Sequence, residues 1–156
     1  MLVRRAKKED IPALNSLLRQ VLDVHHNGRP DLFKGGVKKY TDDQLVSILQ
    51  DDDSPIFVAE DEGVVCGEVF CEIKCVADDN VLKDCKTLFI EDVCVDASAR
   101  GKKVGTALFD FVKQYAKEIG CYNMSLNVWA FNEGAKKFYD KVGLKPQKTV
   151  MEYILS

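Results

Sequence analysis

Arg100, Lys102 and Lys103 put three cationic side chains within four residues, with Gly101 among them and Gly105 just beyond. The stretch "ARGKKVGTAL" follows an apolar run, "TLFIEDVCV", and leads into a helical pattern of Val104, Leu108, Phe111, Val112, Tyr115 and Ile119. The first N–H groups of a helix lack intrahelical partners, and the helix dipole favours negative charge there. Gly101 and Gly105 allow tight curvature and close approach of a ligand. A single phosphate needs fewer donors than this turn offers, whereas a diphosphate would engage them all. Two better-known phosphate loops fail on spacing. Gly105 is followed by Thr106 and Ala107 rather than the lysine of a Walker A loop, and no G-x-G-x-x-G occurs anywhere in the chain. Lys103 stands two residues ahead of Gly105, where an ordinary helical φ is expected and lysine adds charge without strain.

The elements that hold this turn follow from periodicity. "LVRRA" reads as a short strand, and Ile11, Leu14, Leu17, Leu18, Val21 and Leu22 give a helix one apolar face, with His25 and His26 at its end. "HHNGRPDLFKGG" reads as a loop, and Thr41 with Gln44 forms a capping box that opens a second helix carrying Leu45, Ile48 and Leu49. "IFVAE", "DEG" and "VVCGEVFCEIK" make a hairpin, followed by the strand "TLFIEDVCV", the basic turn and its helix. "MSLNVWA" is a strand, "NEGAKKFYDKVG" a helix capped by Asn132, and "TVMEYILS" a closing strand. The crossover from "TLFIEDVCV" to "MSLNVWA" should be parallel and right-handed. The expected fold is therefore α/β (α+β), a mixed, mostly antiparallel central sheet with one parallel pair and helices on both faces. It forms a single domain over residues 1–156.

Composition narrows the function classes. The net charge of −3 gives no footprint for nucleic acid. No stretch approaches membrane-spanning length and the N-terminus lacks the apolar core of a signal peptide, so the expected location is cytoplasmic. The acidic clusters Asp51–Asp53 and Glu60–Glu62 read as solvated turns, or as a means of concentrating a cationic substrate. The six cysteines include no C-x-x-C pair and read as reduced small hydrophobes, and adjacent His25 and His26 supply no zinc spacing, so no metal is expected.

Two motifs, in order and at matching separation, resemble the GNAT superfamily of acetyl-CoA-dependent N-acetyltransferases. Arg100, Lys102 and Gly105 fit the family's R/Q-x-x-G-x-G/A turn, with Lys103 where a middle glycine is common. Asn132, Ala135, Phe138, Tyr139, Lys141 and Gly143 fit N-x-x-A-x-x-F-Y-x-K-x-G, with Leu144 in place of Phe. The element order also matches over the whole domain. The resemblance implies acetyl-CoA as co-substrate, held where "TLFIEDVCV" and "MSLNVWA" splay apart. Its pantetheine would pair with the strand edge at Val93, Cys94 and Val95, and its diphosphate would meet Arg100, Gly101, Lys102, Lys103, Val104, Gly105 and Thr106. Asn132 and Ala135 would flank the pantetheine arm. Tyr139 matches the tyrosine that protonates the leaving thiolate, and the N–H of Val93 is the candidate to polarise the thioester carbonyl.

Glu91 is the candidate general base, acting through water. Strand alternation sends Asp92 to the opposite face, unless a bulge reverses the two. Cys94 raises an acetyl-cysteine route, but no His is placed by sequence to activate it, and buried cysteine is the better reading. His26, Asp92 and Trp129 are candidates for acceptor binding, beside the loop residues His25, Arg29 and Asp31. The reaction implied is direct attack of a primary amine on acetyl-CoA in a ternary complex. The acidic clusters lean toward a small cationic acceptor. A protein α-amino group or lysine is the alternative, and a non-catalytic acyl-CoA sensor is the alternative from another class. A homodimer through the "TVMEYILS" edge belongs to the same family expectation.

Overall fold

A computed structural model describes residues 1–156. Strand β1 (Leu2–Arg5) precedes helices α1 (Ile11–Gly28) and α2 (Asp42–Leu49). Strands β2 (Ile56–Asp61), β3 (Val64–Val76) and β4 (Cys85–Val95) follow, then α3 (Val104–Glu118), β5 (Asn123–Leu126) and α4 (Glu133–Lys141). The five strands lie in chain order, with β1 to β4 antiparallel and β4–β5 parallel. The α3 crossover is what makes that last pair parallel, since a hairpin cannot. No helix is long and apolar enough to cross a membrane.

Helices cover both faces of the sheet. On one, Val104, Leu108, Val112 and Ala116 of α3 pack on Phe57, Ala59, Val69, Cys71, Leu88 and Ile90. On the other, Ile11, Leu14 and Leu18 of α1 and Leu45 of α2 pack on Ile56, Val58 and Phe70. The helical spacing of those apolar residues dictates both contacts. At the start of α2, the Gln44 N–H donates to Thr41 Oγ1 at 3.1 Å and the Thr41 N–H to Gln44 Oε1 at 2.8 Å, forming the expected capping box.

Gly67 sets how closely α3 approaches the sheet. A Cβ built there would lie 2.8 Å from Val104 and 2.9 Å from Leu108, so only glycine admits the first turns of α3. The helix N-terminus is thereby seated against the end of β4.

Two sequence expectations are corrected. Of "MSLNVWA" only Met124, Ser125 and Leu126 are strand, in β5, because β4 diverges beyond Ile90 and leaves Asn127–Trp129 with no ladder to join. "TVMEYILS" forms no strand, since β5 pairs with β4 alone and no strand of this chain lies beside the segment.

Gly67→Ala is expected to cost about 1–3 kcal/mol by overpacking under α3. Urea unfolding should show a lower midpoint with an unchanged slope. An unaltered midpoint would mean that α3 is free to lift.

Candidate active site

The site starts from one extra residue in β4. Phe70 of β3 faces Asp92 and Cys71 faces Ile90, so Glu91 is inserted without an opposite partner. Pairing with β5 ends at Ile90, opposite Leu126, one residue before that insertion. A bulge bends its strand and raises its twist, so β4 turns away from β5 at this point and a gap opens. Hydrogen-bond parity shows which groups face the gap. The Asp96 N–H donates to Cys66 O of β3 at 2.8 Å. Amides two apart point the same way, so Cys94 also faces β3, while Val93 and Val95 turn N–H and C=O into the gap. The sequence-predicted strand edge is therefore present.

The gap leads to the basic turn. Residues Ala97–Ala99 form a single 3-10 turn, capped by Asp96, whose carboxylate accepts from the Ser98 N–H at 3.0 Å. Gln20 of α1 binds the other Asp96 oxygen at 2.8 Å and receives the Ala97 N–H at 3.2 Å, which fixes the turn to α1. Arg100, Gly101, Lys102 and Lys103 are exposed. The Ala107 N–H is the first to reach back, to Lys103 O, so those of Val104, Gly105 and Thr106 have no intrahelical acceptor.

Lys103 overturns the expectation of an ordinary φ. It is left-handed, at φ 62° and ψ 26°, and Gly101 is also left-handed at φ 85°. A left-handed lysine costs about 1–2 kcal/mol. Left-handed residues in such a turn converge successive N–H groups into an anion-binding concavity, and that geometry is what the strain maintains. Gly105 has a different role from the one its turn position suggests. A Cβ there would sit 3.2 Å from the Phe138 ring and 3.7 Å from Val95, so it permits close packing of α3 against α4.

The bulge also breaks the strand alternation expected of Glu91 and Asp92. Asp92 lies opposite Phe70, which packs with α1, so Asp92 is on the α1 face, and Glu91 is the inserted residue beside it. Asp92 is buried and ion-paired with Lys39 Nζ, while Glu91 is exposed and has no ion-pair partner. Burial alone would lower the Lys39 pKa, but the attraction and hydrogen bond of Asp92 outweigh it and the net shift is upward. Tyr40 stacks on Phe70 with centroids 6.0 Å apart, pinning the same loop to the sheet.

Beside these groups, Glu68 of β3 is fully buried and neither carboxyl oxygen has a hydrogen-bond partner. Desolvation, then repulsion from Asp92, pushes its pKa well above the usual carboxylate range, so it is held neutral. Tyr139 of α4 has its pKa pushed up to about 12, by burial first and then by the Asp92 charge. Cys94 lies opposite Glu68 on β3, and burial pushes its thiol up to about 12, which leaves it a poor nucleophile. Asn132 accepts the Ala135 N–H at 3.1 Å as the N-cap of α4. Its side-chain oxygen therefore holds the helix start in place, with the amide nitrogen left for a ligand.

On the acceptor side the two histidines separate. His26 hydrogen-bonds Phe33 O through Nδ1 at 2.8 Å and packs on Gly35, so it shapes the loop. His25 is half-buried in the same turn of α1. Burial lowers its pKa, against the pull of Asp92. Helical phase carries the signal, since His25 continues the inward row Leu14, Leu18, Leu22. An aromatic row follows from it: His25 to Phe33 at 5.1 Å, Phe33 edge-on to Trp129 at 5.4 Å, and Trp129 stacked on Phe131 at 6.0 Å. Phe131 lies over Gly28, where a Cβ would be 2.1 Å from the ring. Arg29 sits 5.9 Å over Trp129 and pairs with Asp31 and Glu152.

Comparison with known proteins gives a consistent result. The profile of the acetyltransferase (GNAT) family matches residues 21–144. Over 116 residues the chain is 30% identical to glucosamine 6-phosphate N-acetyltransferase of Arabidopsis thaliana, covering 74% of this chain and 68% of that one. A mutant of the BH1408 protein from Bacillus halodurans superposes with a TM-score of 0.96 at 27% identity, with 100% of each chain covered. The aminoglycoside N-acetyltransferase AAC(6')-Iy in complex with CoA superposes at 0.72 with 21% identity, covering 99% of each, a likeness of fold alone.

Two measurements test this geometry. Lys103→Gly relieves the left-handed strain and should raise stability by roughly 1 kcal/mol, read as a higher denaturation midpoint. Glu68 binds its proton more tightly when folded, so its contribution to stability falls as pH rises above the unfolded carboxylate pKa. Glu68→Gln should therefore gain on the native chain between pH 5 and pH 8 (about neutral for a free carboxylate at neither end). A gap between the two unfolding curves that does not change with pH would show Glu68 to be ionised.

Proposed function

The chain belongs to the GNAT family of acetyltransferases and is an acetyl-CoA-dependent N-acetyltransferase, and from that premise we propose that its acceptor is a small cationic amine, attacked directly in a ternary complex. The observation that carries the reading is the gap beyond Ile90 and Leu126, lined by the inward-turned amides of Val93 and Val95 and ending on the N-terminus of α3. An extended chain carrying two amides fits the β4 edge as an added strand. A diphosphate fits the free N–H groups of Val104 to Thr106 and the charges of Arg100, Lys102 and Lys103. Acetyl-CoA combines both features and supplies the activated acetyl group.

In this reading Glu91, exposed and free of any ion pair, takes a proton from the acceptor ammonium through water. Asp92 is neutralised by Lys39 and serves instead to hold the loop that carries Lys39 and Tyr40. The amine nitrogen then attacks the thioester carbonyl carbon, whose oxygen draws on the Val93 N–H as its charge grows. As the carbon–sulfur bond breaks, Tyr139 gives its hydroxyl proton to sulfur and regains one from the new amide nitrogen. Its raised pKa keeps that proton in place throughout the neutral range. The exposed, unpaired Glu91 carboxylate suits a positively charged acceptor. The relatives named for glucosamine 6-phosphate and aminoglycosides support amino sugars as the first acceptors to test.

A panel of amino sugars, aminoglycosides, polyamines and short peptides, scored by release of CoA thiol, tests the acceptor class. Turnover is expected with the small cations. Turnover of peptides alone, or no thiol release, would overturn the proposal. Tyr139→Phe should lower kcat about 10²-fold with acetyl-CoA affinity nearly intact. Glu91→Gln should lower it about 10-fold at neutral pH and progressively less as pH rises, because the acceptor then arrives already deprotonated. A pH-independent deficit would remove Glu91 as the base.

A further inference from the structure

One amine of this chain stands beside the place where an acceptor amine would react. Lys39 Nζ is ion-paired with Asp92, the β4 residue between Glu91 and Val93, whose N–H faces the gap. Asp92 lies opposite Phe70, and Tyr40 stacks on that same ring with centroids 6.0 Å apart. Lys39 Nζ lies 5.4 Å over the Tyr40 ring, so the amine and its neighbour converge on one pair of residues. The backbone is fixed again at Thr41, which caps α2.

This setting separates Lys39 from the other lysines that have a fixed partner. Its side chain is 27% exposed, against 53% for the adjacent Lys38, which pairs with Asp42 at the outer start of α2. Lys136 pairs with Glu133 within α4, and Lys86 donates to Ile119 O from the opposite end of β4. Glu68 is the diagonal neighbour of Asp92 on the same face, fully buried and without a hydrogen-bond partner. A half-buried amine is thus lodged over two carboxyl groups, next to the residues assigned to proton removal and carbonyl polarisation.

We propose that Lys39 is itself an acceptor, and that the chain transfers an acetyl group from acetyl-CoA to its own Lys39 Nζ. This rests on the reaction proposed above, with a tethered amine in place of a free one. The Lys39 ammonium passes a proton through water to Glu91, and its lone pair attacks the thioester carbonyl carbon. The nitrogen–carbon bond forms and the carbon–sulfur bond breaks. Tyr139 gives its proton to sulfur and recovers one from the amide nitrogen, so the products are acetyl-Lys39, CoA thiol and one proton. A tethered amine needs no encounter, so the rate does not depend on the concentration of chains. The amide product carries no charge. Asp92 then loses its cation, the loop before α2 loses one of its ties to the sheet, and the transfer occurs once per chain.

Incubation of the full chain with acetyl-CoA and no added amine, followed by peptide mass mapping, reads the transfer directly. Acetyl should accumulate on Lys39 ahead of Lys38, with a rate constant unchanged over an about ten-fold range of protein concentration. Tyr139→Phe should slow labelling of Lys39 about 10²-fold and leave the chemical background at Lys38 as it was. In urea, where the ion pair is gone, Lys38 and Lys39 of the native chain should label alike. No acetyl on Lys39 overturns the proposal, as does equal labelling of Lys38 and Lys39 in the folded chain. So does a rate that scales with protein concentration, or a preference for Lys39 that persists in urea. Free-amine turnover that falls in Tyr139→Phe while Lys39 stays unlabelled strikes this inference alone. Labelled Lys39 with no turnover of any free amine strikes only the acceptor class proposed above.

Discussion

The bulge at Glu91 is the constraint on which the rest of the site depends. One residue inserted opposite Phe70 has three effects at once. It ends the parallel pairing of β4 with β5 at Ile90, it frees the amides of Val93 and Val95, and it leaves Glu91 with no residue opposite it. A regular strand would have kept the gap closed and sent the two carboxylates to opposite faces. The gap between β4 and β5 and the proposed base Glu91 thus share one backbone irregularity.

Around the bulge, charge and burial act against each other to set protonation. Asp92 is buried but paired with Lys39, and the pair holds the loop before α2 onto the sheet. Glu68 is buried without a partner and resolves the conflict by staying protonated. The same dry, negatively biased surroundings keep the Tyr139 hydroxyl and the Cys94 thiol protonated. For a phenol, that preserves a proton to donate; for a thiol, it removes the nucleophile. One environment therefore favours direct transfer over a cysteine intermediate.

Much of this was legible in the residue pattern, for identifiable reasons. The α1, α2 and α3 stripes and the Thr41–Gln44 capping box are local features, and they appear where spacing puts them. The turn at Arg100–Thr106 was recognisable because a strand, a basic glycine-containing turn and a helix must follow one another in sequence. The choice between His25 and His26 was available from helical phase, although the loop composition around them drew attention to His26. The left-handed φ of Lys103 was signalled only by the resemblance, which puts a glycine at that place, since lysine itself prefers the right-handed region.

What the sequence determined by itself is the set of elements, their order and the two cores, because helical and strand periodicities act between residues a few positions apart. Tertiary structure alone decided where β4 and β5 part, which carboxylate is paired, and that "TVMEYILS" is left outside the sheet. Each of these depends on what lies across from a residue, and a strand without a neighbour cannot satisfy its own backbone. The basic turn belongs to both. Its residue types make an anion site an expectation, and its left-handed lysine shows only in the backbone that joins the end of β4 to α3.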